Sequence, residues 1–265
     1  MPTITSADGT TIAYDAIGDG PPLILVPAVL STRAGDPHHA ALQQALTGSH
    51  TVVFYDRRGR GESTNTAPYA PERELEDIAA LIDAVGGSAA LFGSSSGGVI
   101  AIHAARALDG VTRLAVFEPP LIIDDSRPPI PADYVEHLDA LIAEGRRGEA
   151  VEYLMTAAIG IPAEYLEPMK QDPSWQAFEA VADTISHDGR FAAPTMAGKP
   201  LPAEWAEIEV PTLVVTGELS QPFLHDGNRA LAELLPNARH ETLPGQQHAF
   251  DPAVLAPVLD RFLRS

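Results

Sequence analysis

The sequence of 265 residues contains no cysteine. This absence excludes thiol nucleophiles, thiolate metal sites and disulfide bonds, and a chain of this length can fold without such cross-links. Long apolar runs are also missing, because no stretch approaches the ~20 residues that a membrane-spanning helix requires. Residues 1–4 lack the basic and apolar regions of a secretion signal, so we predict a cytoplasmic protein without a membrane association.

Basic residues are scarce. The chain has 17 lysines and arginines against 36 aspartates and glutamates, a formal net charge of −19. Nucleic-acid binding depends on neutralising phosphates, so no nucleic-acid partner is expected, and polyanionic substrates are disfavoured for the same reason. A neutral or cationic small-molecule substrate is the expected partner, and the chain is expected to be a monomer or a homodimer. The charge also has a simpler explanation, which is solubility.

Short apolar runs alternate with helical patterns along most of the chain. The Asp8-Gly9 turn signal lies between two alternating stretches and predicts a β-hairpin. Continuous apolar runs typical of strands buried on both faces alternate with helical periodicity, which predicts a mostly parallel sheet flanked by helices. The strands are expected at residues 23–26, 51–55, 89–92, 113–117, 212–215 and, more weakly, 240–243, and the helices at 71–85, 96–108, 228–235 and 252–263.

This alternation fails between residues 119 and 208, which are helical where they are periodic and proline-rich elsewhere. We interpret residues 119–208 as a helical cap inserted into a core formed by residues 1–118 and 209–265. The helices of this cap are expected at residues 131–144, 148–159 and 174–186. Its candidate pocket-lining side chains are Met155, Trp175, Phe178 and Met196, although packing inside the cap explains each of them equally well.

The residues Gly93-Ser94-Ser95-Ser96-Gly97 match the pattern G-x-S-x-G between an apolar run and a helical pattern. A sharp turn from strand to helix exposes the central serine of this pattern and gives it the N–H groups of a helix N-terminus. Ser95 is therefore the candidate nucleophile. The alternative is a small-residue turn without chemistry.

Two further stretches carry a family resemblance. Residues 56–63 read D-R-R-G-R-G-E-S, and residues 243–248 place His248 in a loop before the final helix. Together with the serine motif they resemble the α/β-hydrolase superfamily along nearly the whole chain. The resemblance implies the α/β-hydrolase fold, the order serine, acid, histidine, and His248 as the catalytic base. The other histidines considered, His38, His39, His103 and His240, do not fit that position.

The acid departs from the usual pattern, because Ser220 stands where these proteins place an aspartate. Some α/β-hydrolases instead take the acid from the end of the strand after the serine helix, and Glu118 occupies that position here. Glu118 is therefore the candidate acid, and Glu218 is the alternative.

The resemblance implies an oxyanion hole made by two backbone amides. The first is the N–H of Ser96, and the second is the N–H of Val29, in a loop where many relatives carry His-Gly. The combination of this loop with a triple serine and Glu118 is similar to fungal zearalenone lactone hydrolases, which open a macrocyclic lactone with serine, glutamate and histidine.

The predicted function is a serine hydrolase that cleaves a carboxylic ester or lactone of a small, largely apolar molecule through an acyl-enzyme. No metal and no cofactor is expected. Two alternatives remain open at this point. The same fold could perform acyl transfer, a lyase reaction or cofactor-free haloperoxidase-like chemistry, or it could serve as a ligand-binding receptor.

Overall fold

The computed structural model describes residues 2–265, so Met1 of the predicted core lies outside the described residues. These residues form one eight-stranded sheet in the order β1-β2-β4-β3-β5-β6-β7-β8. β1 pairs with β2 and β2 pairs with β4 in antiparallel fashion, and the remaining neighbours are parallel. The strands are β1 Thr3–Thr5, β2 Thr11–Ile17, β3 Pro22–Val26, β4 Thr51–Tyr55, β5 Ala89–Ser94, β6 Val111–Phe117, β7 Thr212–Gly217 and β8 Ala238–Leu243.

The central strands are buried on both faces because their side chains alternate between two apolar layers. Leu23 and Leu25 of β3 pack in the layer that holds the first and last helices. Ile24 and Val26 of the same strand pack in the layer that holds three other helices. The first layer contains α1 Pro37–Leu46 and α10 Pro252–Leu263, and the second contains α2 Glu72–Ala84, α3 Ser96–Ala107 and α9 Pro222–Leu234. The predicted mostly parallel sheet flanked by helices is confirmed.

The segment between β6 and β7 is helical and builds a third apolar cluster of its own. Phe223 and Leu224 at the start of α9 belong to this cluster, so the segment packs on the core near that helix. Its elements are α4 Tyr134–Ala143, α5 Arg147–Tyr153, a π-helical stretch Leu154–Ile159, α6 Leu166–Lys170, α7 Pro173–Ala180 and α8 Ile185–Thr195. We refer to residues 119–208 as the inserted segment.

Several helices differ from the sequence prediction. α1 and α6 have no counterpart in it, and residues 174–186, predicted as one helix, belong to two helices separated by a turn at Ala182–Thr184. The second of these, α8, continues to Thr195 with Pro194 in its last turn. The proline and Gly189 lower the helical propensity of that stretch, and packing against α3 and α4 overrides this preference.

None of the helices formed by residues 2–265 combines the length and apolar character that crossing a bilayer requires.

Candidate active site

Ser95 lies in a strained turn between β5 and α3. Its φ of 51° and ψ of −127° are unusual for a residue with a side chain, and such strain concentrates at functional sites. The turn also needs the two glycines of its motif. A Cβ on Gly93 would lie 2.4 Å from the Gly97 carbonyl oxygen, and a Cβ on Gly97 would lie 2.2 Å from the Val26 carbonyl oxygen.

Glu118 directly follows β6 and has the same kind of backbone strain, with φ at 49°. Its side chain is completely buried. One carboxylate oxygen accepts the Gly217 N–H at 2.7 Å, which fixes the carboxylate against the end of β7. Because β5, β6 and β7 are adjacent and parallel, their carboxyl ends bring Ser95 and Glu118 to one edge of the sheet.

His248 joins these two side chains. Its Nδ1 lies 2.7 Å from Glu118 Oε2, and its Nε2 lies 3.1 Å from Ser95 Oγ. A carboxylate can only accept hydrogen bonds, so Nδ1 carries the proton and Nε2 is left to accept from the serine hydroxyl. The arrangement can take a proton from Ser95 and stabilise the resulting imidazolium.

Glu218, the alternative acid, lies elsewhere. It is exposed, and its carboxylate accepts the Gly245 N–H at 2.8 Å, within the loop that leads to His248. The structure therefore places Glu118, and not Glu218, against the imidazole. Ser220, which stands at the position of the usual aspartate, contributes to the wall of the cavity described next.

The remaining histidines considered in the sequence have other neighbours. His240 lies 2.8 Å from the Thr216 hydroxyl, and His103 packs edge-on against Phe191 and Trp205. His39 pairs with Asp36, and His38 contacts the Phe250 carbonyl oxygen.

A cavity of about 250 Å³ opens beside Ser95 and His248. Its wall is largely apolar and comes from both the core and the inserted segment. The residues that line it include Val29, Ser96, Arg127, Ile130, Tyr134, Leu154, Ala158, Met196, Phe223 and Leu224.

Of the four predicted pocket side chains, Met196 lines this cavity. The prediction is wrong for the other three, which pack inside the inserted segment. Met155 and Trp175 are buried members of its apolar cluster, and Phe178 packs against it. The indole N–H of Trp175 is also donated to Glu179 at 2.8 Å, which turns that ring towards its own helix. Residue type alone does not distinguish an apolar side chain that lines the cavity from one that packs inside the inserted segment.

The two predicted oxyanion donors both border the cavity, but one of them already has an acceptor. The Val29 N–H is donated to Ser96 Oγ at 2.8 Å, and the Ser96 hydroxyl is donated in turn to Asp188 Oδ1 at 2.7 Å. The Ser96 N–H lies in the first turn of α3, where N–H groups have no acceptor within their own helix. The pairing of Val29 through a serine side chain was not expected from the sequence.

Asp188 of α8 belongs to a buried ionic network under the serine turn. Its carboxylate pairs with Arg57 at 2.6 Å and also with Arg60, and Arg57 pairs with Glu74 of α2 at 2.7 Å. Burial raises the pKa of Asp188, but the two arginine charges outweigh this effect and hold that pKa below its usual range. The two carboxylates balance the two cations, which removes the cost of burying a net charge.

Sequence reasoning missed Asp188 and Arg127. Arg58 of the loop at residues 56–63 pairs with Asp8 and Asp77, whereas Arg57 and Arg60 bind the inserted segment. No pattern around Asp188 indicated their partner, because α8 itself was not predicted. Arg127 lies in a proline-flanked stretch without periodicity, so nothing placed it at the cavity.

Within residues 2–265, no group of three or more histidine or acidic side chains is arranged to hold a metal ion.

Comparison with known proteins identifies the family of this chain. The family model described as the alpha/beta hydrolase family matches residues 23–258, which is most of the chain. The chain belongs to the alpha/beta hydrolase family. A solved alpha/beta hydrolase from Sphaerobacter thermophilus DSM 20745 is 49% identical over 99% of this chain and 100% of that chain, with a TM-score of 0.90.

More distant structures share the fold of this alpha/beta hydrolase. The enol-lactonase from Burkholderia xenovorans LB400 is 23% identical, covers 100% of both chains and has a TM-score of 0.70. An esterase from Thermogutta terrifontis is 22% identical over 99% of this chain and 97% of that chain, with a TM-score of 0.69. At these identities the likeness concerns the fold.

A segment of a much larger protein is also similar. The polyketide synthase ThaQ from Burkholderia thailandensis is 31% identical over 283 residues, which cover 94% of this chain. The alpha/beta hydrolase spans only 12% of the length of that synthase.

Proposed function

We propose that this alpha/beta hydrolase is a serine hydrolase that cleaves a carboxylic ester or lactone of a small, largely apolar molecule. The observation that carries the proposal is the continuous hydrogen-bonded chain from Ser95 through His248 to the buried Glu118, at the wall of a largely apolar cavity. Glu118 was also one of the features on which the resemblance to zearalenone lactone hydrolases was based.

In the proposed first step, Ser95 Oγ attacks the carbonyl carbon while its proton passes to His248 Nε2. The carboxylate of Glu118 holds the imidazole in the required tautomer and stabilises its positive charge. His248 then donates this proton to the leaving alkoxide, and an acyl group remains on Ser95. Water attacks the acyl-enzyme in the second step, with His248 again acting as the base.

The oxyanion of each tetrahedral intermediate would be bound by the Ser96 and Val29 amides. Because Val29 donates to Ser96 Oγ before substrate binds, the oxyanion has to share this N–H or displace the serine hydroxyl. The Ser96 hydroxyl donates to Asp188, which limits how far it can move away from this N–H. We assign Ser96 two functions on this basis, one through its amide and one through its hydroxyl.

The inserted segment would act as a cap over a core of residues 1–118 and 209–265. Ile130, Tyr134, Leu154 and Met196 of this segment contribute to the cavity, opposite the serine turn. Burying an apolar substrate against such side chains contributes about 25 cal/mol per Å² of surface removed from water. The acyl or alcohol part of the substrate is therefore proposed to be largely apolar.

The test is covalent labelling of the purified protein with a fluorophosphonate, followed by peptide mapping. We expect the label on Ser95, together with hydrolysis of short 4-nitrophenyl esters and of lactones. Ser95→Ala should lose both, whereas Ser94→Ala, the matched variant one position away, should keep both.

Two results would contradict the proposal. Absence of the label on Ser95 in folded protein would argue against a covalent mechanism, and a receptor function would then explain the cavity better. Labelling of Ser95 with acyl transfer but without release of the free acid would make the protein a transferase.

A further inference from the structure

Arg127 is a cation in the wall of an otherwise nearly uncharged cavity. Apart from His248, it is the one ionisable charged side chain among the described residues that line this cavity, which also contains Ser95. Its side chain is half-buried, and burial lowers the pKa of its guanidinium below the usual value. No carboxylate among residues 2–265 forms an ion pair with it, although the chain carries 36 acidic residues.

The protein holds this guanidinium in place without neutralising it. Its Nη2 donates to the Ala158 carbonyl oxygen at 2.6 Å, at the end of the π-helical stretch. Its central carbon lies 4.7 Å from the centre of the Phe223 ring. These contacts use one of five N–H donors and one face of the group, and they fix its orientation. The remaining donors are free for an acceptor in the cavity.

We infer that the substrate of the proposed hydrolase carries a single carboxylate, which Arg127 binds while Ser95 attacks the ester or lactone carbonyl. This inference rests on the proposed function and names its substrate class. A guanidinium matches a carboxylate because two of its N–H groups can bind the two oxygens in one plane. The single cation of the cavity can pair with one negative charge. The apolar part of its wall can bury the carbon chain that joins the carboxylate to the ester or lactone carbonyl.

The overall charge of −19 does not oppose this assignment. Exposed charges are screened over a Debye length of about 10 Å at ordinary ionic strength, whereas a half-buried guanidinium at short range is screened much less. The surface therefore disfavours polyanions, and the cavity selects a monoanion. The preference of the cavity for a monoanion therefore differs from the neutral or cationic substrate that the net charge of the whole chain suggested.

The experiment compares two esters that differ only in charge. One series consists of the mono-4-nitrophenyl esters of straight-chain diacids of four to eight carbons, and the other consists of the same compounds with the free acid capped as a methyl ester. We expect at least one chain length at which the charged ester has a kcat/KM about tenfold or more above its capped partner, since a charge-assisted hydrogen bond is worth about a factor of 10 to 100.

Arg127→Met should remove this preference, mainly by raising KM for the charged ester more than for the capped ester. Arg127→Lys keeps the positive charge but lacks the planar guanidinium with its paired N–H groups, so it should retain part of the preference for the charged ester. Arg147→Met is the matched control, because Arg147 is an exposed arginine of the inserted segment that pairs with Asp183. This variant should leave both substrates unchanged.

A second readout does not depend on turnover. Binding of the monoethyl esters of the same diacids to Ser95→Ala is measured by calorimetry, with and without Arg127→Met. We expect about tenfold weaker binding without Arg127. Equal rates for the charged and capped esters in the native protein, or an equal loss of both in Arg127→Met, would overturn the carboxylate assignment. Failure of Ser95 labelling with retained Arg127-dependent binding would instead overturn the hydrolase proposal alone.

Discussion

The two oxygens of the buried Glu118 carboxylate each accept a hydrogen bond from a different donor. Oε1 accepts the backbone N–H of Gly217, and Oε2 lies against His248 Nδ1. The Glu118 side chain has no solvent exposure, and a buried negative charge is costly unless it is hydrogen-bonded. The carboxylate is thus positioned by the backbone of β7 and acts on the imidazole, which is the arrangement that a positioning acid needs.

Glu118→Gln tests this assignment with almost no change of shape. The Gly217 N–H should keep the amide oxygen on its side, so the amide NH₂ faces His248 Nδ1 and forces the proton onto Nε2. The imidazole could then no longer accept the proton of Ser95. We expect kcat to fall by a factor of about 10³ to 10⁴ with little change in KM, as steady-state kinetics on an activated ester would measure.

Glu218→Gln is the matched control, since it removes the same charge from an exposed carboxylate one residue beyond Gly217. Its kcat is expected to stay within about twofold. Should Glu218→Gln reduce kcat as strongly as Glu118→Gln, the assignment of Glu118 would be wrong.

At the residue scale, motif and order along the chain predicted the positions of Ser95 and His248, and both are brought together. The choice between Glu118 and Glu218 needed the structure, because both follow strands that end at the same edge of the sheet. The positive φ of Glu118 could not be predicted, because nothing in the sequence marks a glutamate that adopts this strained conformation.

α8 connects the inserted segment with the core through charges rather than through apolar contact alone. Asp188 on this helix reaches Arg57 and Arg60 of the loop after β4, and Arg60 Nε also donates to the Thr184 hydroxyl at 2.8 Å. The same carboxylate accepts a hydrogen bond from the hydroxyl of Ser96, the neighbour of Ser95. The position of the inserted segment and the geometry of the serine turn therefore depend on one another.

Asp188→Asn should destabilise the protein strongly, because it leaves two buried arginines with only Glu74 as a full counter-charge. Removing one partner of a buried ion pair typically costs about 3 to 5 kcal/mol, and we expect a loss of that size in the free energy of unfolding. Denaturant titration measures it.

The exposed ion pair of Asp183 with Arg147 is the control for the buried network of Asp188. Asp183→Asn should cost no more than about 1 kcal/mol, because exposed ion pairs contribute little. A loss in Asp188→Asn no larger than this would mean that the network does not hold the inserted segment to the core.

Elements with clear periodicity were predicted well, and the strands of the sheet begin and end within a few residues of their expected positions. α8 was not predicted because Gly189 and Pro194 contradict its local propensity. Its helical state is imposed by packing on α3 and α4, which lie far away in the sequence.

At the scale of the whole molecule, His187 is a buried titratable side chain at the contact between the inserted segment and the core. His187 stacks on Tyr69 with ring centres 3.6 Å apart, and its Nδ1 has no hydrogen-bond partner within residues 2–265. Burial, aided by the charges of Arg57 and Arg60, lowers the pKa of His187 to about 4. The ring is therefore neutral in the folded protein at pH values where an unfolded histidine is charged.

This shift makes global stability fall with acidification. An unfolded histidine titrates near pH 6.5, so the contribution of His187 is fully present above that pH and is lost as the pH falls from about 6.5 to about 4. From pH 7 to pH 5 we expect His187 alone to lower the free energy of unfolding by about 2 kcal/mol, as denaturant titrations at both pH values would show.

His187→Phe keeps an aromatic ring against Tyr69 and removes the titration. Its loss of stability between pH 7 and pH 5 should be smaller than that of the native protein by the same amount. A pH dependence identical in the two proteins would show that His187 is not the group responsible.

The sequence by itself determined the fold class, the two-faced burial of the central strands, and the choice of Ser95 and His248 as the candidate nucleophile and base. The fold class and the burial follow from patterns between near neighbours in the chain, where local propensity acts, whereas the choice of His248 follows from the family resemblance. Only the tertiary structure decided that Glu118 supplies the carboxylate, that Ser96 engages the Val29 amide, and that Arg127 rather than Trp175 borders the cavity. Those contacts join groups as far apart as 130 positions, and no local rule specifies which distant side chains close packing will bring within hydrogen-bond distance.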